Sequence, residues 1–456
     1  MDTLMLGRWQ FGITTVYHFL FVPLTIGLAF LVALMQTIYY RTENEVYDQM
    51  TRFFGRLFVI LFTLGVVTGI VQEFQFGMNW SEYSRFVGDI FGIPLAIEAL
   101  AAFFLESTFL GLWLFGRDRL PRWLHIISIW CVSIGTLISA YWILVANAWM
   151  QVPVGYHLVN GRAELTDFVA VFLNERVLAQ YQHVVTGALI TGGFFVLGIS
   201  AWHLMTGMNT ALFSRAARIA LIVTGVSAIA AATTGHSQAQ YTARTQPMKL
   251  AAMEGLWNSE QPASFSLFAI QDEANRSGSR ELNLPYLLSV LGYNNLTAKV
   301  EGMKDLQAQY EQTYGAGVYI PPVTLVYWSF RIMVGLGMLF ILVSLIGFIL
   351  WWRGTLDFVR WFHRVLMVMM FLPLAANTAG WLVTEIGRQP WVVFGLLKTA
   401  NGVSTSVDSI SVWISMLVFT LLYGVLAVVG GILIYRFARP KPDGQLLPGE
   451  ENAHAY

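Results

Sequence analysis

The sequence contains a single cysteine, Cys131, among its 456 residues. An intrachain disulfide therefore cannot form, and zinc or iron–sulfur sites built from several cysteines are excluded. The N-terminus also lacks the basic segment and short apolar core of a cleavable signal peptide. We therefore expect the first apolar segment to remain in the mature protein.

Charged residues are also scarce. They make up 12% of the chain, about half the share of a soluble domain. The 27 basic residues balance the 27 acidic ones, which argues against a nucleic-acid-binding protein and against an acidic disordered chain. Because 56% of the residues are apolar, much of the surface must face something other than water, and we expect a lipid bilayer.

Long apolar runs recur along the chain. About 20 predominantly apolar residues cross a bilayer as a helix. Nine segments meet this condition, which predicts an all-α fold, a polytopic bundle of about nine transmembrane helices. They cover approximately residues 13–40, 53–76, 91–115, 125–149, 181–205, 215–234, 323–352, 363–385 and 409–435.

Lysine and arginine are divided unevenly between the two sets of connections. Fourteen of the 27 basic residues follow predicted spans 1, 3, 5, 7 and 9, and basic loops stay in the cytoplasm. The N-terminus is therefore predicted outside and the C-terminus in the cytoplasm. The chain divides into spans 1–6 (residues 1–234), an outer loop (235–322), spans 7–9 (323–435) and a cytoplasmic tail (436–456).

The outer loop is far longer than the other connections. It is polar and mixed in composition, with a helix-like amphipathic run near Leu296–Tyr314. A loop of this length in a compact membrane protein is usually functional. We therefore expect this segment to contribute to the activity.

Several ionisable or ligand-type side chains lie inside the predicted spans, where they are costly and usually functional. The topology places five of them in the outer half of the membrane: His18, Glu98, His183, Met333 and Glu385. Histidine and methionine are axial ligands of haem iron, and a His/Met pair holds a low-spin haem. Although each residue alone has a plainer interpretation, such as core packing for Met333, together they favour a multi-haem membrane protein.

Two further residues extend this pattern. Arg331 lies two residues before Met333, where a cation could offset a haem propionate or tune the potential of the iron. Glu106 lies two helical turns deeper than Glu98, about 12 Å at 1.5 Å per residue. The residues alone leave two other classes open, a secondary transporter and a haem b membrane anchor. A reduced-minus-oxidised spectrum separates these classes.

Eight short motifs are spread along nearly the whole chain. They are YHFLFVPL at 17–24, EFQFG at 73–77 with Asn79-Trp80, GDIFG at 88–92, PLAIE at 94–98, FFLEST at 103–108, WILVAN at 142–147, FRIM at 330–333 and GRQPW at 387–391. Together they resemble subunit I of the cytochrome bd-type quinol oxidases, a family with nine spans. The chain lacks the insertion of the long-loop subgroup and resembles a short-loop member.

The resemblance implies three haems, namely a low-spin haem b, a high-spin haem b and a haem d that some members replace by haem b. His183 and Met333 would ligate the low-spin haem. His18, Glu385 and Glu98 would ligate or border the other two, and which of these haems His18 binds stays open. Two more residues would contact cofactors: Trp381 between haems, and Arg388 of the GRQPW motif.

The resemblance also implies the reaction. Lys249 and Glu254, in the segment KLAAME, match the quinol-site motif, in which Lys249 would orient a quinone oxygen and Glu254 would accept a proton. Ubiquinol or menaquinol would be oxidised outside, and dioxygen reduced to water with cytoplasmic protons that pass Glu106, Ser107 and Glu98. This uptake would generate a proton motive force without a pump.

Finally, the resemblance implies a location and partners. Family members lie in the inner (cell) membrane of bacteria as multi-pass proteins. They pair with a homologous second membrane subunit, and in some members also with a small single-span subunit. Besides lipid, the expected partners are therefore these subunits, quinol and dioxygen, and no nucleic acid.

Overall fold

The computed structural model describes residues 2–440, and long apolar helices dominate it. Within this range nine segments are long and apolar enough to cross a membrane, which confirms the predicted all-α bundle. They are α1 (Thr3–Thr42), α2 (Glu45–Met78), α3 with α4 (Ser81–Phe115), α5 (Arg122–Gln151), α6 with α7 (Phe168–Thr206), α8 (Thr210–Thr245), α12 (Val323–Trp352), α13 with α14 (Arg360–Ile386) and α15 (Ser409–Ala438). Residues 441–456, most of the predicted cytoplasmic tail, lie outside the described residues.

Two of these spans change their helical geometry in the middle. Helix α3 (Ser81–Ile97) continues through a π-helical turn at Glu98–Phe103 into α4 (Phe104–Phe115). Such π turns are rare in proteins, and those that occur often lie at functional sites. The other span breaks between α13 (Arg360–Met369) and α14 (Leu372–Ile386), where proline in the first turn of α14 cannot continue a hydrogen-bonded helix.

The two ends of the bundle differ in the segments that connect the long helices. Short helices α9 (Pro247–Glu254), α10 (Leu287–Tyr293) and α11 (Met303–Tyr314) lie between α8 and α12. We call the end formed by residues 246–322 the loop face, and the opposite end, with the arginine-rich connections, the basic face. Helix α1 is central, because it packs on α2, α5, α7 and α15.

Three antiparallel β-hairpins lie in the connections between the helices. Strand β1 (Tyr156–Val159) pairs with β2 (Arg162–Leu165), and β3 (Phe265–Asp272) pairs with β4 (Ser277–Leu284). The third hairpin joins β5 (Trp391–Val393) to β6 (Leu397–Lys398), and β5 begins at the last residue of the GRQPW motif. The hairpins connect helices and leave the bundle as the core of the fold.

Helix α8 is longer than its apolar pattern suggested. It continues to Thr245, so residues 235–245 of the predicted outer loop are helical. Apolar composition marks the lipid-embedded part of a helix, whereas its end is set by backbone chemistry, here by Pro247, which disfavours helix at the residue before it. The amphipathic run is also shorter than predicted, because α11 begins at Met303 and residues 296–302 are not helical.

The contact between α1 and α7 depends on two glycines. A Cβ atom added to Gly27 would lie 2.3 Å from the carbonyl oxygen of Ala188 and 2.9 Å from Cα of Gly192. Since both neighbours are backbone atoms, neither can move without separating the helices. Glycine at these positions therefore lets α1 approach α7 closely.

We expect Gly27→Ala to destabilise the bundle by about 1–3 kcal/mol, the usual cost of overpacking a core. Thermal unfolding of the detergent-purified protein measures this as a lower midpoint. Gly12→Ala is the matched control on the same helix, because an added Cβ there has nothing within 4 Å. Equal midpoints for the two variants would contradict the close α1–α7 contact.

Candidate functional site

Two histidines occupy the same kind of socket in different helix pairs. His18 of α1 places Nδ1 2.9 Å from Oγ1 of Thr68 on α2. His183 of α7 places Nδ1 3.2 Å from Oγ1 of Thr234 on α8. In both sockets the residue after the threonine is a glycine, and a Cβ atom there would lie 3.1 or 3.2 Å from Cε1 of the imidazole. The glycine therefore makes room for the ring.

The hydrogen bonds of the threonines fix the tautomer of both rings. Thr68 Oγ1 donates to backbone carbonyls of its own helix, to that of Leu64 at 2.9 Å, and Thr234 Oγ1 donates likewise to that of Ala230 at 2.9 Å. A threonine has one hydroxyl proton, so each Oγ1 must accept from the Nδ1–H of its histidine. Both histidines consequently present the lone pair of Nε2, the nitrogen that can bind a metal.

One turn of α14 contacts both α12 and α1. Met333 of α12 packs against Gly380 in this turn, and Trp381, the next residue of the turn, faces α1. The sulfur of Met333 is 3.1 Å from where a Cβ of Gly380 would be, so glycine at this position leaves room for the thioether. The indole of the next residue, Trp381, contacts Phe19 edge-on, with centroids 5.1 Å apart. Residues 380–381 therefore lie between Met333 on α12 and the His18 segment on α1.

Glu385 lies in the last turn of α14 and is surrounded by polar groups from several elements. Its Oε1 accepts from Nδ2 of Asn147 at 2.8 Å, and its Oε2 accepts from Arg388. Gln180 of α7 donates in turn to Asn147 at 3.0 Å. The carboxylate is therefore oriented by hydrogen bonds, while 32% of the Glu385 side chain stays exposed.

Two carboxylates line the contact of α5 with the π turn and α4. Glu98 accepts from Oγ of Ser139 at 2.7 Å, whereas Glu106 is 6% exposed and its Oε1 has no hydrogen-bond partner in the described chain. Gly135 faces Glu106, since a Cβ there would lie 2.6 Å from the Cγ of Glu106. Helix α5 thus borders both carboxylates, through residues Ser139 and Gly135 that are one helical turn apart on it.

Lys249 and Glu254 lie on different faces of α9. Lys249 is 3% exposed, and Nζ donates to Oε1 of Gln151 at 2.5 Å and to the carbonyl of Thr384 at 3.1 Å. Glu254 is 1% exposed and accepts at Oε2 from Arg331 of α12 at 2.6 Å. The short helix therefore offers an ammonium group to α5 and α14, and a carboxylate to α12.

Burial and ion pairing act in opposite directions on Glu254. Burial raises the pKa of this carboxyl group, and the guanidinium of Arg331 opposes the rise. Arg331 also donates through Nε to the carbonyl of Ser266 at 2.6 Å. Its guanidinium carbon lies 4.3 Å from the ring centroid of Phe265 and 4.5 Å from that of Tyr327. Arg331 is therefore held tightly against the loop face.

Two predicted site residues make contacts that the sequence did not indicate. Arg331, predicted to offset a haem propionate or tune the potential of the iron, donates to Glu254 and to the carbonyl of Ser266 in β3, where α12 meets the loop. Ser107, predicted to lie with Glu106 on a proton path, is exposed on α4, and its Oγ donates to the carbonyl of Phe104 in the same helix at 3.3 Å.

Comparison with known proteins decides the family. The sequence profile of the cytochrome bd terminal oxidase subunit I matches residues 6–442. The chain belongs to this family.

Similar proteins cover almost all of the chain. It is 50% identical to the cytochrome bd ubiquinol oxidase subunit 1 of Bacillus subtilis (strain 168), over 97% of this chain and 94% of that protein. It is 38% identical to the cytochrome bd-II ubiquinol oxidase subunit 1 of Escherichia coli (strain K12), over 97% of each chain. The bd oxidase structure from Geobacillus thermodenitrificans superposes with a TM-score of 0.87 at 29% identity, covering 96% of this chain and 99% of that one.

The donor set fits the haem that a cytochrome bd subunit implies. Within residues 2–440 no three His, Cys, Asp or Glu side chains converge on a point that could hold a bare metal ion. Axial ligation of haem requires only one or two donors per iron, and imidazole and thioether are such donors. His18, His183 and Met333 would be such donors, and they lie at half-buried positions nearer the loop-face end of their helices.

Sequence reasoning missed the residues that support these donors. Thr68-Gly69 and Thr234-Gly235 are the same dipeptide in two different spans, and this repetition was a usable signal. Arg176 was missed because the apolar run predicts the fifth span only from residue 181, whereas α7 begins at Glu175. Gln151 carries no charge, and only the fold brings it to Lys249.

Proposed function

We propose that this chain is the haem-carrying subunit of a respiratory terminal oxidase that oxidises quinol and reduces dioxygen to water. The observation that carries the proposal is the pair of histidine sockets, since each holds an imidazole with Nε2 presented for iron. The relatives from Bacillus subtilis and Escherichia coli are named ubiquinol oxidase subunits, which supports quinol as the electron donor. Either ubiquinol or menaquinol fits this chemistry.

Three haems are proposed, with low-spin haem b, high-spin haem b and haem d, or haem b in its place, as their types. His183 and Met333 would hold the low-spin haem, and His18, Glu385 and Glu98 would hold or border the other two. When bound, the haems pass electrons from quinol to dioxygen one at a time. Trp381 would separate haem pockets, because its indole lies between the Met333 and His18 sides of the bundle.

Residues of the loop face would handle the quinol protons. Glu254 would accept a proton from the quinol hydroxyl, because burial raises the pKa of its carboxyl group and makes the carboxylate a stronger base, while the guanidinium of Arg331 opposes the rise and favours the ionised form. Lys249 lies on the bundle side of α9 and would polarise an oxygen or an anion between α9 and α14. With the loop face outside, as the arginine distribution predicts, the released protons leave the cell.

Protons for water formation would enter from the basic face. A cavity of about 320 Å³ opens there between α1, α2 and α5, lined among others by Gln36, Asp48 and His125. Glu106 and Glu98 then lead along α4 and the π turn towards the haem layer. Moving one charge across the membrane stores about 2.3 kcal/mol per 100 mV, so inward uptake and outward release would conserve energy without a pump.

Glu106→Gln is expected to slow quinol-dependent oxygen uptake at least tenfold while the haem content stays unchanged. The amide cannot bind and release a proton, but it keeps the shape that packs on Gly135. Oxygen consumption and a haem assay on the same purified sample give the two quantities. Glu82→Gln is the matched control, since Glu82 forms an exposed ion pair with Arg85 at the start of the same span and should leave turnover unaltered. Full turnover of Glu106→Gln would remove this route.

The proposed assembly follows from the exposed apolar surface. Large apolar side chains are exposed on α4 and along α15, among them Phe104 and Phe115. Helix faces of this kind fit lipid or another membrane subunit. We propose that a homologous second membrane subunit covers one of them in the inner membrane of a bacterium, and a small single-span subunit is compatible with the remainder.

A spectrum and an activity assay together test the function. The purified complex should show reduced-minus-oxidised bands of haem b, and a far-red band if haem d is present. It should also consume oxygen when quinol is supplied. Absence of haem bands would support a transporter instead, and haem b bands without quinol-dependent oxygen uptake would support an electron-transferring anchor.

A further inference from the structure

Three basic side chains meet inside the bundle at the loop face. Arg176 of α7, Lys249 of α9 and Arg388, just after α14, are 5%, 3% and 6% exposed. Burial and the charges of Arg176 and Arg388 hold the pKa of Lys249 well below its usual range, and Glu385 opposes this effect. The three cations therefore share one electrostatic environment, and Glu385 is the carboxylate that faces them.

Donor groups of this cluster lack acceptors in the described chain. Nε of Arg176, and both Nε and Nη1 of Arg388, are buried without a hydrogen-bond partner. Arg176 makes a long hydrogen bond of 3.4 Å to Oγ1 of Thr242, and its guanidinium lies 5.9 Å from the ring centroid of Tyr241. Buried charged donors are costly unless an acceptor pairs with them. The site therefore has the composition of a receptor for an anion.

The helix geometry relates this receptor to the His183 socket. Arg176 precedes His183 by seven residues on the same helix, which places both on one face, about 10 Å apart along the axis. Arg176 is the residue nearer the loop face. A molecule bound at Nε2 of His183 can carry an anionic group. If that group extends towards the loop face, it would therefore reach Arg176.

We propose that Arg176 and Lys249 together bind a propionate carboxylate of the haem held by His183. The inference rests on the proposed function, because it requires haem at His183. A guanidinium recognises a carboxylate through paired N–H groups. The contact would also fasten α9 to the haem edge through Lys249, while Glu254 on the other face of α9 handles the quinol.

Arg176→Gln tests the proposal by a redox titration of the low-spin haem in the purified complex. Loss of a positive charge beside the propionate favours the ferric state. We expect the reduced-to-oxidised ratio at a fixed potential to fall about tenfold, which corresponds to about 59 mV for one electron. Arg176→Lys keeps the charge and should stay within about threefold of the unmodified protein.

Arg244→Gln is the matched control. Arg244 lies at the same 5.9 Å from the Tyr241 ring, but it is exposed and outside the buried cluster. Its titration curve should be unchanged. Infrared difference spectra of protein loaded with haem labelled with ¹³C at the propionates should show the labelled bands shifted in Arg176→Gln and unshifted in Arg244→Gln.

The outcomes separate this inference from the proposed function. If His183→Ala loses the low-spin haem and Arg176→Gln changes neither the titration nor the labelled bands, the propionate contact is wrong and the function stands. If His183→Ala keeps the low-spin haem spectrum, the proposed haem at His183 is wrong and the propionate contact fails with it, and absence of haem bands or of quinol-dependent oxygen uptake from the unmodified complex would overturn the function. If Arg176→Gln does not assemble, Lys249→Met is titrated instead, with the same expected fall, and an unchanged curve overturns the proposal.

Discussion

The purified His183→Ala protein is expected to contain one b-type haem fewer than the unmodified complex and to have lost quinol-dependent oxygen uptake. The imidazole of His183 presents Nε2 to the bundle interior, because Thr234 accepts the proton of Nδ1. Alanine offers no ligand in its place, and a pocket without an axial nitrogen loses affinity for the iron. A pyridine haemochrome assay counts the haems, and an oxygen electrode measures turnover.

His203→Ala is the matched control for this variant. His203 lies on the same helix and is also buried, but its Nε2 is bonded to the carbonyl of Ala438 at 2.8 Å. It should alter stability without changing the haem count. Thr234→Val removes only the acceptor of the Nδ1 proton, and we expect haem retention to weaken about 10–100-fold. An unchanged haem count in His183→Ala would refute the assignment of this socket.

The second large effect concerns Glu254 and its partner Arg331. Glu254→Gln should reduce quinol oxidation about a hundredfold at pH values above the pKa of Glu254, because a general base is lost, and its pH–rate profile should lack the acid limb. Arg331→Gln should act differently. Burial already raises the pKa of Glu254 and Arg331 opposes that rise, so removal of the guanidinium raises the pKa further. The acid limb of the pH–rate profile should then move to higher pH by about one unit or more.

The sign of this shift is what distinguishes the two variants. The reaction requires ionised Glu254, so Arg331→Gln should lose activity at pH values where the unmodified protein is still active, and recover as the pH rises above the new pKa. Glu254→Gln has no carboxylate to ionise and should not recover. Arg331→Lys keeps a positive charge beside Glu254. The acid limb of its pH–rate profile should therefore lie close to that of the unmodified protein. A profile of Arg331→Gln with an unmoved acid limb would contradict the pairing.

The bundle could be predicted from the sequence because apolar runs report directly on lipid contact. The nine spans were found in this way, and so was the long connection between α8 and α12. Helix ends were less accurate, since the polar last turns of α8 lie beyond the apolar run. The π turn was not predicted, because Glu98–Phe103 carries no proline or glycine to mark a change of helical geometry.

The candidate site was predictable in its residue types and less so in its contacts. His18 and His183 stand out as imidazoles in apolar spans, whereas the pairing of Arg331 with Glu254 joins residues 77 positions apart and needs the tertiary fold. The separation of Lys249 and Glu254 on α9 follows from helical geometry, as residues five apart point about 140° away from each other. It was missed because the segment was treated as a loop.

The histidine sockets have a consequence for protein engineering. Each consists of an imidazole on one helix and a Thr-Gly dipeptide on its neighbour, and needs neither a loop nor a charged side chain. Two antiparallel apolar helices are therefore enough to dictate which ring nitrogen carries hydrogen. Grafted into an artificial transmembrane hairpin, this triplet offers a compact way to seat a porphyrin within lipid.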